Sequence, residues 1–85
     1  MKSIINKINY DYDRENDVLY YTFSSNKNSY GDEDPDNIVF MRDIDTDELT
    51  GITILNFLTM YRKKDTRIEQ ISKYLNIEVV IKNII

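Results

Sequence analysis

Residues 10–23 read YDYDRENDVLYYTF, and residues 37–57 read NIVFMRDIDTDELTGITILNF. Each stretch places an acidic turn beside residues with a strong preference for strands, which predicts two β-hairpins in one small sheet. Successive side chains of a strand point to opposite faces, so Leu19 and Tyr21 share one face and Tyr20 lies on the other. We expect the Leu19 face to be buried, which turns Tyr20 away from the core.

The neighbouring segments complete a predicted α+β domain. Its sheet is expected to be antiparallel and four-stranded, built from two hairpin units, with strands over residues 4–10, 18–23, 38–45 and 49–55. Ile38, Phe40 and Ile44 would share one face of the third strand. Residues 24–37 are rich in Ser, Asn and Asp and contain the chain's Pro, which predicts a long loop between the hairpins.

One or two short helices and a last strand are predicted after the sheet. Residues 56–64 carry apolar side chains at helical spacing, and Thr66 with Glu69 matches the capping box of a helix over residues 67–75. The segment Ile77–Ile84 is strongly β-branched. It therefore indicates a C-terminal edge strand, and a homodimer is expected because this apolar edge would otherwise be unpaired.

Length and composition limit the classes of protein to consider. A chain of 85 residues supports one small core, so residues 1–85 are interpreted as one domain, with a sheet unit over residues 1–58 and a helix-strand extension over residues 59–85. No apolar run reaches the roughly 20 residues that a bilayer requires, and the first residues lack a signal-peptide core. A cytoplasmic location without membrane association is expected.

The composition also limits the chemistry. The chain has no Cys and no His, which removes thiolate nucleophiles, Ser-His and Cys-His pairs and the usual zinc ligands. We therefore predict that it is not an enzyme, has no catalytic residues and needs no cofactor. Its formal net charge of -4 disfavours nucleic acid as a partner and favours a basic protein.

An aspartate-rich turn raises the question of a metal site. Asp43, Asp45 and Asp47 have the spacing that opens an EF-hand loop, but Glu48 stands where that loop needs Gly and Ile54 where it needs Glu. The predicted role of these carboxylates is to solvate a hairpin turn, and no metal site is expected.

Three groups of residues are candidates for binding a partner. Tyrosine is enriched at interfaces, which makes Tyr20 the first candidate. The second group is acidic and comprises Asp32, Glu33, Asp34 and Asp36. These residues could mimic phosphate in a basic nuclease cleft, or they could simply form a solvated loop. The third group is basic and comprises Arg62, Lys63 and Lys64. These residues could touch DNA phosphates or could complement a helix dipole, and we prefer the second interpretation.

The two hairpin motifs resemble those of the YuzE-like family, which comprises small bacterial domains of uncharacterised function. The first motif is a Tyr-Asp, acidic turn and Leu-Tyr hairpin, represented by Tyr10, Asp11, Asp17, Leu19 and Tyr20. The second is an aspartate-rich hairpin that ends in Gly-Ile-x-Ile-Leu, represented by Asp43, Asp45, Glu48, Gly51, Ile52, Ile54 and Leu55. Some members look like the acidic half of a two-gene cassette whose other half resembles a ribonuclease toxin.

The resemblance and the composition together lead to one functional expectation and one alternative. The chain is expected to be a small acidic protein-binding module, most concretely an antitoxin-like inhibitor that occludes a basic, nuclease-like partner. The alternative is a homo-oligomeric structural or regulatory domain with no inhibitory role, in which Ile77–Ile84 pairs with the same segment of a second copy.

Overall fold

Alternating apolar residues in the two predicted hairpins build the centre of the fold. The computed structural model describes residues 9–23 and 28–85. These residues form five strands, namely β1 (Asn9–Asp13), β2 (Val18–Thr22), β3 (Ser29–Glu33), β4 (Ile38–Asp43) and β5 (Leu49–Leu55). Three short helices follow them, namely α1 (Phe57–Arg62), α2 (Thr66–Ile71) and α3 (Ile77–Ile84).

Both predicted hairpins are confirmed. Strands β1 and β2 pair antiparallel, as do β4 and β5, and the order across the sheet is β1-β2-β5-β4-β3. The hairpins join where β2 pairs with β5, which sets Leu19 opposite Ile54 and Tyr21 opposite Ile52. These four side chains are buried, so the Leu19 face is the core face, as predicted.

The sheet has five strands rather than the predicted four, because β3 lies inside the segment interpreted as a long loop. Four of its five residues are exposed, so an edge strand of this kind shows little apolar alternation in the sequence. The predicted first strand begins in residues 4–8, which lie outside the described residues. Strand β1 continues to Asp13, beyond residue 10 where the first strand was predicted to end.

The prediction for Ile44 is wrong. Strand β4 ends at Asp43, and Ile44 is 64% exposed in the following turn. The carboxylate of Asp43 accepts hydrogen bonds from the amides of Asp45 (2.7 Å) and Thr46 (3.0 Å), and these bonds turn the chain away from the strand direction.

The start of α2 differs by one residue from the predicted capping box. Asp65 is the N-cap, since its side chain accepts a hydrogen bond from the amide of Arg67 at 2.9 Å. The guanidinium of Arg67 also pairs with the Asp65 carboxylate at 2.7 Å. This pairing holds the pKa of Asp65 down at about 2.

The predicted C-terminal strand is wrong, because Ile77–Ile84 is helix α3. Its buried residues recur at the spacing of one helix face, and they are Ile77, Val80, Ile81 and Ile84. Asn76 caps the helix by accepting from the amide of Val79. Tertiary packing of this face outweighs the strand preference of β-branched residues. The unpaired strand edge on which the predicted homodimer depended is therefore not present.

All three helices pack on the same face of the sheet, which we call the helix-covered face. The sheet contributes Leu19, Tyr21, Ile38, Ile52 and Ile54 to the core. The helices contribute Phe57, Met60, Ile68, Ile71, Ile77, Val80, Ile81 and Ile84, and the connection between α2 and α3 contributes Leu75. Among the described residues, no helix has the length and apolar character needed to cross a membrane.

Candidate functional site: the open face of the sheet

The other face of the sheet carries no helix within the described part of the chain. Strand register arranges its side chains in three rows, which we call together the open face. The first row is Asp13, Val18 and Leu55. The second row is Asp11, Tyr20, Thr53, Val39 and Glu33. The third row is Thr22, Gly51, Met41 and Gly31.

The middle of the open face is apolar and accessible. Tyr20 is 46% exposed, which is unusual for an aromatic residue on a central strand. Val39, Met41 and Leu55 are half-buried. A surface of this kind on a small domain can bury an apolar partner, because its side chains are already held in place by the sheet.

The two glycines of the chain lie on either side of Met41. A Cβ on Gly51 would come within 2.8 Å of the backbone oxygen of Tyr21, so only Gly fits at that position. A Cβ on Gly31 would meet Cγ1 of Val39 at 2.8 Å. A depression of about 180 Å³ lies beside Met41 at Gly51, with Tyr20 and Thr53 on its wall.

Carboxylates stand at both edges of the open face. Asp11 and Asp13 lie on β1 at one edge, and Glu33 lies on β3 at the other. The three rows contain no Lys or Arg. The second row therefore presents Tyr20, Thr53 and Val39 between negative ends.

Acidic and basic residues are also separated along the chain, with the acidic excess in the segment that contains the sheet. Residues 9–55, which include the sheet, contain twelve acidic and three basic residues, a formal net charge of -9. Residues 56–85, which form the helices, contain three acidic and six basic residues, a formal net charge of +3. The sheet side of the molecule is thus the acidic side.

The turn carboxylates act as hydrogen-bond acceptors. Hydrogen bonds from the side chain and the backbone amide of Asn16 hold the pKa of Asp13 below its ordinary value, and the backbone amides of Thr46 and Asp45 do the same for Asp43. Partial burial opposes ionisation of Asp17, but hydrogen bonds from Tyr12, Leu58 and Thr59 outweigh it and lower the pKa. These groups are ionised at neutral pH, so they are not proton donors.

Asp17 connects the sheet to the first helix. Its carboxylate accepts from the hydroxyl of Tyr12 (2.6 Å), the amide of Leu58 (2.8 Å), and the amide and hydroxyl of Thr59 (3.1 and 2.8 Å). Its backbone oxygen accepts from the amide of Phe57 at 3.1 Å. Asn56, at the N-cap position, makes no side-chain cap. Asp17 therefore caps α1 from a distant part of the chain, a structural role.

The predicted acidic group does not form a single loop. Asp32 and Glu33 belong to β3, with Asp32 opposite Phe40 of the helix-covered face and Glu33 on the open face. Asp34 and Asp36 lie in the turn that follows. The guanidinium of Arg67 donates to the backbone oxygen of Asp36 at 3.0 Å, which ties this turn to α2.

The basic group lies apart from Tyr20. Arg62 is the last residue of α1, Lys63 is its C-cap, and Lys64 follows with a positive φ of 56°. Cations at this position can complement the negative end of a helix. Of the predicted partner-binding residues, the structure places only Tyr20 and Glu33 on the open face.

Sequence reasoning missed most of this surface. Asp11, Val39, Met41 and Thr53 join Tyr20 only through cross-strand register. The alternation of β2 and β5 marks which residues face away from the core, but the missing β3 left one edge undefined. Among the described residues, no group of three potential ligands could hold a metal ion.

Comparison with known proteins gives the chain a family. No curated protein and no solved structure matches it. A family model described as "Protein of unknown function (DUF2283)" matches residues 9–57, from β1 to the first residue of α1. The match agrees with the expected family of uncharacterised small domains, without carrying the YuzE-like label. Since it covers more than half of the chain, the protein belongs to the DUF2283 family.

Proposed function

We propose that this domain is a protein-binding module that docks a basic partner on its open face and acts by occlusion. The observation that supports it is the second cross-strand row, in which Tyr20, Thr53 and Val39 lie between the carboxylates of Asp11 and Glu33. An accessible apolar centre with a charged rim is the arrangement of a protein-protein interface.

Tyr20 supplies the anchoring contact. A tyrosine offers a large contact area and loses little rotamer freedom on binding, because it has few rotatable bonds. Its neighbours across the sheet are Asp11 on one side and Thr53 on the other. A partner side chain placed on Tyr20 would therefore meet apolar surface beneath and polar groups beside it.

The acidic edges select the partner. Charge complementarity raises association rates and rejects partners of like charge. A ribonuclease binds an anionic substrate and needs a basic cleft to do so. An antitoxin-like inhibitor of a nuclease-like protein is therefore the specific form of the proposal, and the acidic side of the sheet would cover that cleft.

The test is the effect of matched variants on partner capture and affinity. Tyr20→Ala removes the anchor from the open face, while Tyr74→Ala removes a tyrosine of similar exposure, 39% against 46%, that packs on Phe40 of the opposite face. The wild-type domain is used to isolate binding proteins from the native host. Each isolated protein is then purified, and its affinity for the wild type, Tyr20→Ala and Tyr74→Ala is measured by calorimetry.

We expect a basic protein whose affinity falls at least tenfold with Tyr20→Ala and stays unchanged with Tyr74→Ala, about 1.4 kcal/mol for the first variant. Circular dichroism and thermal unfolding check that both variants fold. The proposal is overturned if no isolated protein distinguishes Tyr20→Ala from the wild type.

A further inference from the structure

We infer that the element received by the open face is an amphipathic α-helix of the partner, whose apolar stripe is bordered on both sides by Lys or Arg. This inference rests on the proposed function and adds the shape of the partner. The observation behind it is the sequence of groups across the sheet, which is carboxylate, apolar centre, carboxylate.

The width of the open face matches a helix. Five strands span four intervals, which puts the acidic edges about 19 Å apart. A helix with its side chains is about 10–12 Å across. Laid over Tyr20 and Val39, it leaves a gap on each side that the long stems of Lys and Arg can bridge while their charged ends reach the carboxylates.

A partner strand fits less well. A strand added to β1 would lie beside Asp11 and Asp13, and one added to β3 would lie beside Glu33. Neither could reach both edges or cover Tyr20 on the inner strand β2. A helix on the face reaches both edges at once.

The depression beside Met41 suits a side chain. Its volume of about 180 Å³ is below the roughly 300–1,000 Å³ of pockets that bind small molecules. Gly51 forms part of its lining, and a Cβ there is excluded by the backbone of Tyr21. A Leu or Met projecting from a helix can enter such a space as a knob enters a hole.

A second copy of this chain is a poorer occupant. Two open faces packed together would bring two sheets of net charge -9 into contact, with Asp11, Asp13 and Glu33 at both rims. Like charges across an interface disfavour association. The basic residues of residues 56–85 lie on the helical side of the molecule, away from this contact.

The probe is a synthetic labelled helix of about 20 residues, about 30 Å long. It carries Leu at heptad positions a, d and e, Lys at b and g, and Gln and Ala elsewhere, which borders the apolar stripe with Lys on both sides. A second peptide has Glu in place of Lys, and a third has the composition of the first in scrambled order. Binding to the purified full chain is followed by fluorescence anisotropy at low and high salt.

Two protein variants of equal charge locate the contact. Asp11→Asn/Glu33→Gln removes one carboxylate from each edge of the open face, and Asp45→Asn/Glu48→Gln removes two exposed carboxylates from the β4–β5 turn. Light scattering of the wild type and of Tyr20→Ala reports any self-association through the same face.

We expect the Lys-bordered helix to bind at least tenfold more tightly than the scrambled and Glu peptides, with an affinity that falls with salt. Binding should weaken about tenfold in Asp11→Asn/Glu33→Gln and in Tyr20→Ala, and stay unchanged in Asp45→Asn/Glu48→Gln. Equal binding of the ordered and scrambled peptides overturns the inference. So does equal weakening by the two charge variants, or a dimer that Tyr20→Ala abolishes.

The two proposals fail separately. If an isolated basic protein loses affinity with Tyr20→Ala but no helical peptide binds, the partner uses another element and only the helix is rejected. If no basic protein depends on Tyr20 for binding, the proposed function is rejected, and the inferred helix is rejected together with it.

Discussion

The turn between β1 and β2 and the turn between β4 and β5 are built alike, but they have different places in the fold. Each begins with an aspartate whose carboxylate accepts two turn amides, Asp13 in the first and Asp43 in the second. Four residues later, Asp17 and Asp47 have positive φ angles of 57° and 65°. Local sequence thus specifies the same turn twice.

The last aspartate of each turn also accepts a hydrogen bond from a tyrosine. Tyr12 donates to Asp17, and Tyr30 donates to Asp47. Only Asp17 lies next to the start of a helix, α1, because β5 runs antiparallel to β2 and ends beside the first turn. The same motif is therefore a tertiary contact in one hairpin and a surface turn in the other.

The largest expected difference is between Asp17→Ala and Asp47→Ala. Both variants place Ala in the left-handed region, at a shared cost of about 1 kcal/mol. Only Asp17→Ala also uncaps α1, which should lower the free energy of unfolding by about 2 kcal/mol more. Urea unfolding measures both values. Equal losses would show that Asp17 contributes only through its backbone conformation.

The two hairpins and helix α1 could be predicted because their sequence patterns are local. The alternation around Leu19 and Ile52 and the aspartate turns need no knowledge of the rest of the chain. Residues Ile77–Ile84 could not be predicted in this way, since their side-chain type favours a strand while their spacing fits a helix, and packing against the sheet decides. The second acidic edge of the open face was out of reach because Glu33 joins its row only once β3 is paired.

A smaller difference is expected between Tyr12→Phe and Tyr30→Phe. Burial and the hydrogen bond to Asp17 raise the pKa of Tyr12 to about 12, which shows that its neutral hydroxyl is favoured in the fold. Losing this donor to an ionised acceptor should lower the free energy of unfolding by about 1 kcal/mol. Tyr30 is 41% exposed, so water can replace its hydroxyl and no change is expected. Matched urea curves would contradict the comparison if both variants lost equal stability.

The smallest effect expected is in the acid dependence of stability. The pKa of Asp17 is lowered in the folded chain, since the hydrogen bonds from Tyr12, Leu58 and Thr59 outweigh its partial burial. A lowered pKa contributes stability above the unfolded value of about 3.9, and this contribution is lost as the pH falls through the folded pKa.

Asp17→Asn tests this contribution, because Asn also accepts the left-handed backbone conformation but carries no charge. The wild type should be more stable than Asp17→Asn near pH 7, and the difference in unfolding free energy should shrink as the pH is lowered below about 4. Thr59→Ala removes the hydroxyl that donates to Asp17 but keeps the amide that also donates to it, so the acid dependence of this variant should be intermediate. A difference between wild type and Asp17→Asn that stays constant from neutral to acid pH would mean that the carboxylate caps α1 by its shape and not by its charge.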